Sequence, residues 1–223
     1  MEHTGREHPW LSELSDALKE CQLPGERAHA RLSAYSRRDS DQPQNSHISY
    51  KESAVLILLY PTASGALYTA LIQRPGYGGV HGAQMAFPGG KKENEDLDLE
   101  ATALREAEEE VGISASKVRI LGSLTKLSIP PSGFIVTPFV GCISQTPSFR
   151  REPSEVEAIL EVPLELFLDE KAIQYQKVRA GKRGVRMTVP AYEWEERIIW
   201  GATAMMISEL AMLLEERKGS HPS

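Results

Sequence analysis

"FPGGKKENEDLDLEATALREAEEEVGI", residues Phe87–Ile113, follows two glycines with nine acidic residues. Its second half repeats with a helical period. At about 100° per residue with Glu106 at zero, Glu110 falls about 40° to one side and Glu109 about 60° to the other. Leu104, Ala107 and Val111 lie about 100–160° away, so one face is apolar and the other carries carboxylates. Like charges at i,i+4 destabilise a helix by about 0.2–0.5 kcal/mol per pair. Glu109 and Glu110 also sit near the C-terminal end, where the helix dipole is already negative. Gly112 supplies a left-handed cap that ends the helix. The bland alternative is a solvated charged face. Acids set where they oppose helix stability, after Arg105 and a Phe-Pro-Gly-Gly turn, point instead to a cation. Mg²⁺ or Mn²⁺ takes hard oxygen ligands, usually one or two carboxylates plus substrate phosphates and water.

Working outward, "SAVLILLYP" and "GALYTALIQR" read as a hairpin of strands, and "KVRILGSL" and "GFIVTPFVGCI" as two more. Strands around a helix imply a mixed α/β domain. Trp10, Leu11, Leu14, Ala17 and Leu18 mark an N-terminal helix over about Pro9 to Cys21, followed by the polar connection "SRRDSDQPQNSH". Downstream, "EVPLELFLD" predicts a short helical turn, "YQKVRAGKRGVRMTV" a hairpin and "GATAMMISELAMLLEERK" a closing amphipathic helix.

Composition narrows the function. The chain has 223 residues, 41% of them hydrophobic, and a net charge of −6 without a broad basic field, which argues against nucleic acid as partner. Its longest apolar run, "AVLILLY" from Ala54 to Tyr60, is far short of a membrane span, and the first residues show no secretory h-region. Two distant cysteines, Cys21 and Cys142, read as reduced core thiols. The expectation is a cytoplasmic protein without membrane attachment.

"REAEEEVGI" resembles the end of the Nudix box, in which Gly, five residues, Glu and seven residues precede Arg-Glu-apolar-x-Glu-Glu-x-Gly-apolar. Arg105, Glu106, Ala107, Glu109, Glu110, Gly112 and Ile113 match position by position. The front half departs: the earlier Glu falls on Leu97 and the Gly on Lys91, so the loop after Gly90 is one residue longer. That longer loop, with "FPGG" leading to "TALREAEEEVGI", is similar to the coenzyme A pyrophosphatase branch of the family. "ALIQRPGYGGVHGAQMAFPGG" partly matches the branch's upstream motif, at Leu71, Arg74 and Phe87 to Gly90, and departs at Ala70, Ile72, Pro75, Gly79 and Ala83. Resemblance extends from about Pro24 to Leu214.

The resemblance implies a Nudix-type α/β/α sandwich with a mixed sheet, flanked by the N-terminal and C-terminal helices. Residues 1–50 would be an N-terminal helix and polar connection, 51–217 the hydrolase domain and 218–223 a tail. It implies a divalent cofactor, Mg²⁺ or Mn²⁺, held by Glu106, Glu109 and Glu110, with Glu109 as the local candidate base and Arg105 orienting a glutamate. Gly89 and Gly90 allow close approach to a nucleotide-diphosphate substrate. Arg74 either neutralises a phosphate or is a strand-end surface charge, and His81 either contacts substrate or is polar loop surface. Glu155 and Glu157 are further candidate ligands. Trp200, Tyr192 and Trp194 are either core or base-stacking residues. The basic cluster Lys177, Arg179, Lys182, Arg183 and Arg186 either recognises the 3′-phosphate of coenzyme A or is a solvated hairpin tip. Implied substrates are coenzyme A or acyl-coenzyme A, with ADP-ribose, nucleoside diphosphate sugars or dinucleotides as the alternative, and a non-catalytic ligand sensor as a third reading. A homodimer stays open.

Overall fold

The computed structural model describes residues 9–20, 23–34, 50–75, 84–130, 132–180 and 184–218. His81, Cys21, the polar connection and the Lys182–Arg183 part of the basic cluster lie outside them.

The core is an eight-stranded mixed sheet. β1 (Lys51–Pro61) and β2 (Leu67–Gln73) form the expected antiparallel hairpin, with Leu59 opposite Thr69. β3 (Met85–Ala86) extends the sheet beyond β2, and β4 (Gly89–Lys91) pairs with the start of β1. β5 (Arg119–Ser123), β6 (Leu127–Ile129) and β7 (Phe134–Cys142) follow, and β8 (Ala158–Pro163) pairs with β2. β7 runs parallel to β1 along its whole length, and the other pairings in this sheet are antiparallel.

β1 explains why the sheet is covered on both sides. Leu56, Leu58 and Tyr60 point to one face and Ile57 and Leu59 to the other, and all five are buried. A strand buried on both faces reads as a continuous apolar run, as "AVLILLY" does. The even-numbered face packs on Ala103, Ala107 and Val111 of α3 (Leu99–Val111). The odd-numbered face belongs to a core with Leu11 and Leu14 of α1 (Pro9–Glu20), Leu32 of α2 (Glu26–Leu32), and Ile207 and Leu210 of α5 (Gly201–Lys218). The result is an α/β/α sandwich in which α1 and α2 share the core of the sheet. α4 (Glu165–Leu168) is the short helical turn expected after β8. Cys142 is buried at the end of β7.

A second sheet holds β9 (Gln174–Ala180), β10 (Val185–Trp194) and β11 (Arg197–Trp200). Arg179 stands opposite Arg186, so Lys177, Arg179 and Arg186 share one exposed face of the hairpin. Val185 and Met187 point to the other face.

Candidate active site

The site starts from the two ends of α3. Asp98 caps its N-terminus by accepting from the Ala101 N–H at 2.8 Å. Gly112 ends it at φ 73°, and its N–H returns to the Glu108 carbonyl at 3.0 Å. The last carbonyls would otherwise lack partners. Arg150 N–H takes that of Val111 at 2.9 Å and Glu152 N–H that of Glu110 at 3.0 Å. These two bonds draw the loop after β7 against the helix end, where Val156, fully buried, anchors the neighbouring Glu155.

Carboxylate oxygens of Glu106, Glu110 and Glu155 consequently lie within 4.8 Å of one another. Glu110 is almost wholly buried. Its Oε2 accepts from the Gly89 N–H at 2.8 Å, while Oε1 lies 3.3 Å from Arg74 Nη2 and makes no hydrogen bond. Burial pushes its carboxyl up to about 7, against the opposing pull of Arg74 and Gly89. Burial also raises Glu106, whose Oε1 lies 3.0 Å from Arg105 Nη1. A buried carboxylate with one oxygen that makes no hydrogen bond, beside two other acids, is a donor set for a hard divalent ion. The residues present fit such a group.

Gly90 lies directly beneath Glu106. A Cβ built on it would overlap the Glu106 carboxylate, and a Cβ on Gly89 would overlap the Ala54 carbonyl and Val55. Arg74 donates to the Gly89 carbonyl at 2.6 Å, which holds its guanidinium beside the glycine turn.

Arg105 is an organiser. Its Nε and Nη2 reach the two oxygens of Asp96 at 2.9 and 3.1 Å, and its Nη1 reaches Glu109 at 2.9 Å. Asp96 also accepts from Thr102 and from the Glu93 N–H, both at 2.9 Å. Chiefly through Arg105, its carboxyl is held well below the usual range. The side chain of Glu109 is 56% exposed and belongs to the Arg105 pair rather than to the three-acid cluster. Glu157 stays out as well, with Gln73 Nε2 3.3 Å from its carboxylate.

Sequence reasoning missed Asp96. Counting by the motif placed its role on Leu97, a residue that is 92% exposed. The available signal was the acid one residue earlier, as a loop of altered length shifts the position that faces Arg105. Asp96→Asn is expected to weaken the bidentate pair, lower stability by about 2 kcal/mol and lower kcat by about 10- to 100-fold. Thermal unfolding and initial rates measured on the same preparation check both; unchanged kinetics would remove Asp96 and Arg105 from site positioning.

Beside the glycine turn lies a cavity of about 790 Å³ that shares Arg74, Gly89 and Gly90 with the site. Its wall is mainly apolar, including Met85, Phe87, Phe134, Val136, Met205 and Met206. Trp200 lines it, while Tyr192 is core, edge-on to Phe167 at 5.0 Å. Trp194 donates to the Glu161 carbonyl at 3.2 Å. Met187 faces the cavity, so Lys177, Arg179 and Arg186 project from the opposite face of their hairpin.

A mixed sheet between helices, with a glycine turn set under a carboxylate-bearing helix, defines an α/β/α sandwich with an acidic site at the turn. The NUDIX domain model matches residues 51–180. A protein described as an uncharacterized Nudix hydrolase, NudL, from Photorhabdus laumondii is 42% identical over 60% of this chain and 71% of its own length. NudL from Yersinia enterocolitica is 37% identical over 79% of this chain and 89% of its own. The chain belongs to the Nudix hydrolase family. Among solved structures, a Nudix hydrolase from M. smegmatis, RenU, is similar in fold at a TM-score of 0.50 and 15% identity, covering 78% of this chain and 88% of its own. A MutT/nudix family protein from Enterococcus faecalis is similar at 0.51 and 15%, covering 92% and 74%. Among the described residues no helix is long and apolar enough to cross a membrane.

Proposed function

We propose that this chain is a Mg²⁺- or Mn²⁺-dependent diphosphatase that cleaves coenzyme A or acyl-coenzyme A to 4′-phosphopantetheine and 3′,5′-ADP. The observation that carries the reading is the buried Glu110 carboxylate, one oxygen of which makes no hydrogen bond, gathered with Glu106 and Glu155 against the Gly89–Gly90 turn. The branch-like run from Phe87 to Ile113 supports the choice of substrate. In this reading residues 51–217 form the catalytic domain, with 1–50 as an N-terminal attachment and 218–223 as a tail.

Glu106 and Glu110 would hold the ion, with Glu155 as the third oxygen donor. A divalent ion there supplies charge against the diphosphate and makes water more acidic. Arg74 places a fixed positive charge at the turn, and the glycines let the diphosphate approach backbone without side-chain obstruction. Glu109, tethered by Arg105 on the solvent side, is the candidate to take the proton of the attacking water. Water adds to one phosphorus, the bridging P–O bond breaks, and the bridging oxygen leaves with the other phosphate.

A panel of coenzyme A, dephospho-coenzyme A and ADP-ribose, run with each metal and with products identified by mass, tests the reading. 4′-Phosphopantetheine and 3′,5′-ADP are the expected products. Faster cleavage of ADP-ribose than of either coenzyme would transfer the assignment to ADP-ribose or related dinucleotides.

Metal and proton compete for Glu110. Its folded pKa of about 7 lies above the ordinary 4.5, so the metal-free protein loses stability as pH rises from 4.5 to 7. The melting temperature gained from Mg²⁺ or Mn²⁺ is therefore expected to be larger at pH 8 than at pH 6. A gain that is equal at both, or larger at pH 6, would remove Glu110 from the metal site.

A further inference from the structure

On the far side of the sheet, a second wholly buried carboxylate, Glu209 of α5, takes no part in the chemistry above. Its Oε1 accepts from the Gly25 N–H at 3.1 Å and the Thr125 hydroxyl at 2.6 Å. Its Oε2 lies 2.9 Å from Nε2 of buried His29, and the Thr125 N–H is 3.3 Å from both oxygens. Burial works against the charged form, and the bonds from His29 and Thr125 outweigh it, so the carboxyl titrates below its usual value. A buried carboxylate held by hydrogen bonds seldom adds stability over apolar packing of the same volume, which calls for another reason for Glu209.

Each segment that Glu209 joins continues into the wall of the 790 Å³ cavity. One turn after His29, the chain leaving α2 supplies Ser33 and Ala34. Two residues after Thr125 begins the wall stretch Leu127 to Pro130. One turn before Glu209, α5 supplies Met205 and Met206, with Ala202 and Thr203 earlier in the helix. Thr203 also donates to the Met85 carbonyl at 2.9 Å, tying α5 to the strand that leads into the glycine turn. Three remote stretches of wall thus lie within a turn of Glu209 or of the residues bonded to it.

We propose that Glu209 is a positioning residue that fixes these walls into a preformed pocket for the acyl end of a coenzyme A thioester. This rests on the diphosphatase reading and names which part of the substrate the cavity takes. An apolar wall rich in methionine suits a flexible alkyl chain better than a charged nucleotide, and a cavity of this size is in the range that encloses a small ligand.

Octanoyl-coenzyme A is expected to bind the metal-free, full-length protein about ten-fold more tightly than coenzyme A in calorimetry. Ala202→Phe fills the cavity without touching Glu209 and is expected to erase that difference. Glu209→Ala is expected to raise KM for octanoyl-coenzyme A about ten-fold at unchanged kcat, and Glu209→Gln, which keeps an acceptor for Gly25 and Thr125, to recover most of the loss. Thr125→Val removes one bond and spares the buried pair, so it reads the same effect, smaller, should Glu209→Ala fail to fold. Equal affinity of the wild type for the two ligands would overturn the pocket. So would weaker binding of 3′,5′-ADP to Ala202→Phe, which would assign the cavity to the nucleotide. A fall in kcat in the Glu209 variants with chain-length preference intact would overturn the positioning role. Chain-length-dependent binding without any coenzyme A hydrolysis would uphold the pocket and remove the diphosphatase reading.

Discussion

Glu106→Gln and Glu110→Gln are each expected to lower kcat by about 10³-fold, about 4 kcal/mol of transition-state stabilisation, without loss of the fold. The reason lies in what each carboxylate does without metal. Glu110 is buried against the preference of a charge for water, and its pKa is raised accordingly. Glutamine keeps the shape and an acceptor for the Gly89 N–H while removing the buried charge, so thermal stability of the metal-free protein should equal or exceed that of the wild type. Glu106 is raised in the same direction, and its replacement relieves repulsion from Glu109. The ligand role is tested by rate and melting curve together. A variant that melts like the wild type and still turns over at a comparable rate would show that the three-acid cluster is not the metal site. The melting temperature gained on adding Mn²⁺ offers a second measure, and should shrink in both variants.

Gly90→Ala is the second large effect, and its signature is loss of activity without loss of structure. The added Cβ would overlap the end of the Glu106 side chain, a group that can rotate away at little cost to the fold. Rotation removes the carboxylate from its neighbours Glu110 and Glu155. An approximately 100-fold fall in kcat is expected, with stability lowered by less than about 1 kcal/mol. Gly89→Ala should behave in the opposite way. Its Cβ would meet the Ala54 carbonyl and the Val55 backbone, which cannot move without parting β4 from β1. Destabilisation of about 2 kcal/mol or more is expected there. Equal kinetics for Gly90→Ala and the wild type would mean that the Glu106 position is not needed for turnover.

The sequence by itself determined what depends on neighbours along the chain. Helical phase places Glu106 and Glu110 together opposite Ala107 and Val111, because a period near 3.6 is a local property. Gly112 ends the helix because only its own φ is at issue. The hairpin of β1 and β2 was legible from its two apolar segments and the turn between them, and the apolar continuity of β1 reflects cover on both faces. The helical and strand assignments of the second half, α5 and the β9–β10 hairpin, follow from the same short-range patterns.

Tertiary structure decided the rest, because contacts between remote segments leave no mark on the local pattern. Glu155 comes to Glu110 only because the loop after β7 caps the carbonyls of α3. Asp96 claims Arg105, and Arg105 in turn holds Glu109 outside the cluster, through a loop whose altered length hides the register. The β9–β10 register turns the basic residues away from the cavity, an orientation that charge composition cannot encode. The His29–Glu209 contact joins residues 180 apart in the chain, and nothing in the sequence around either one names its partner. Burial decides their meaning: a carboxylate removed from water must be partnered, and only the folded core determines which groups are within reach.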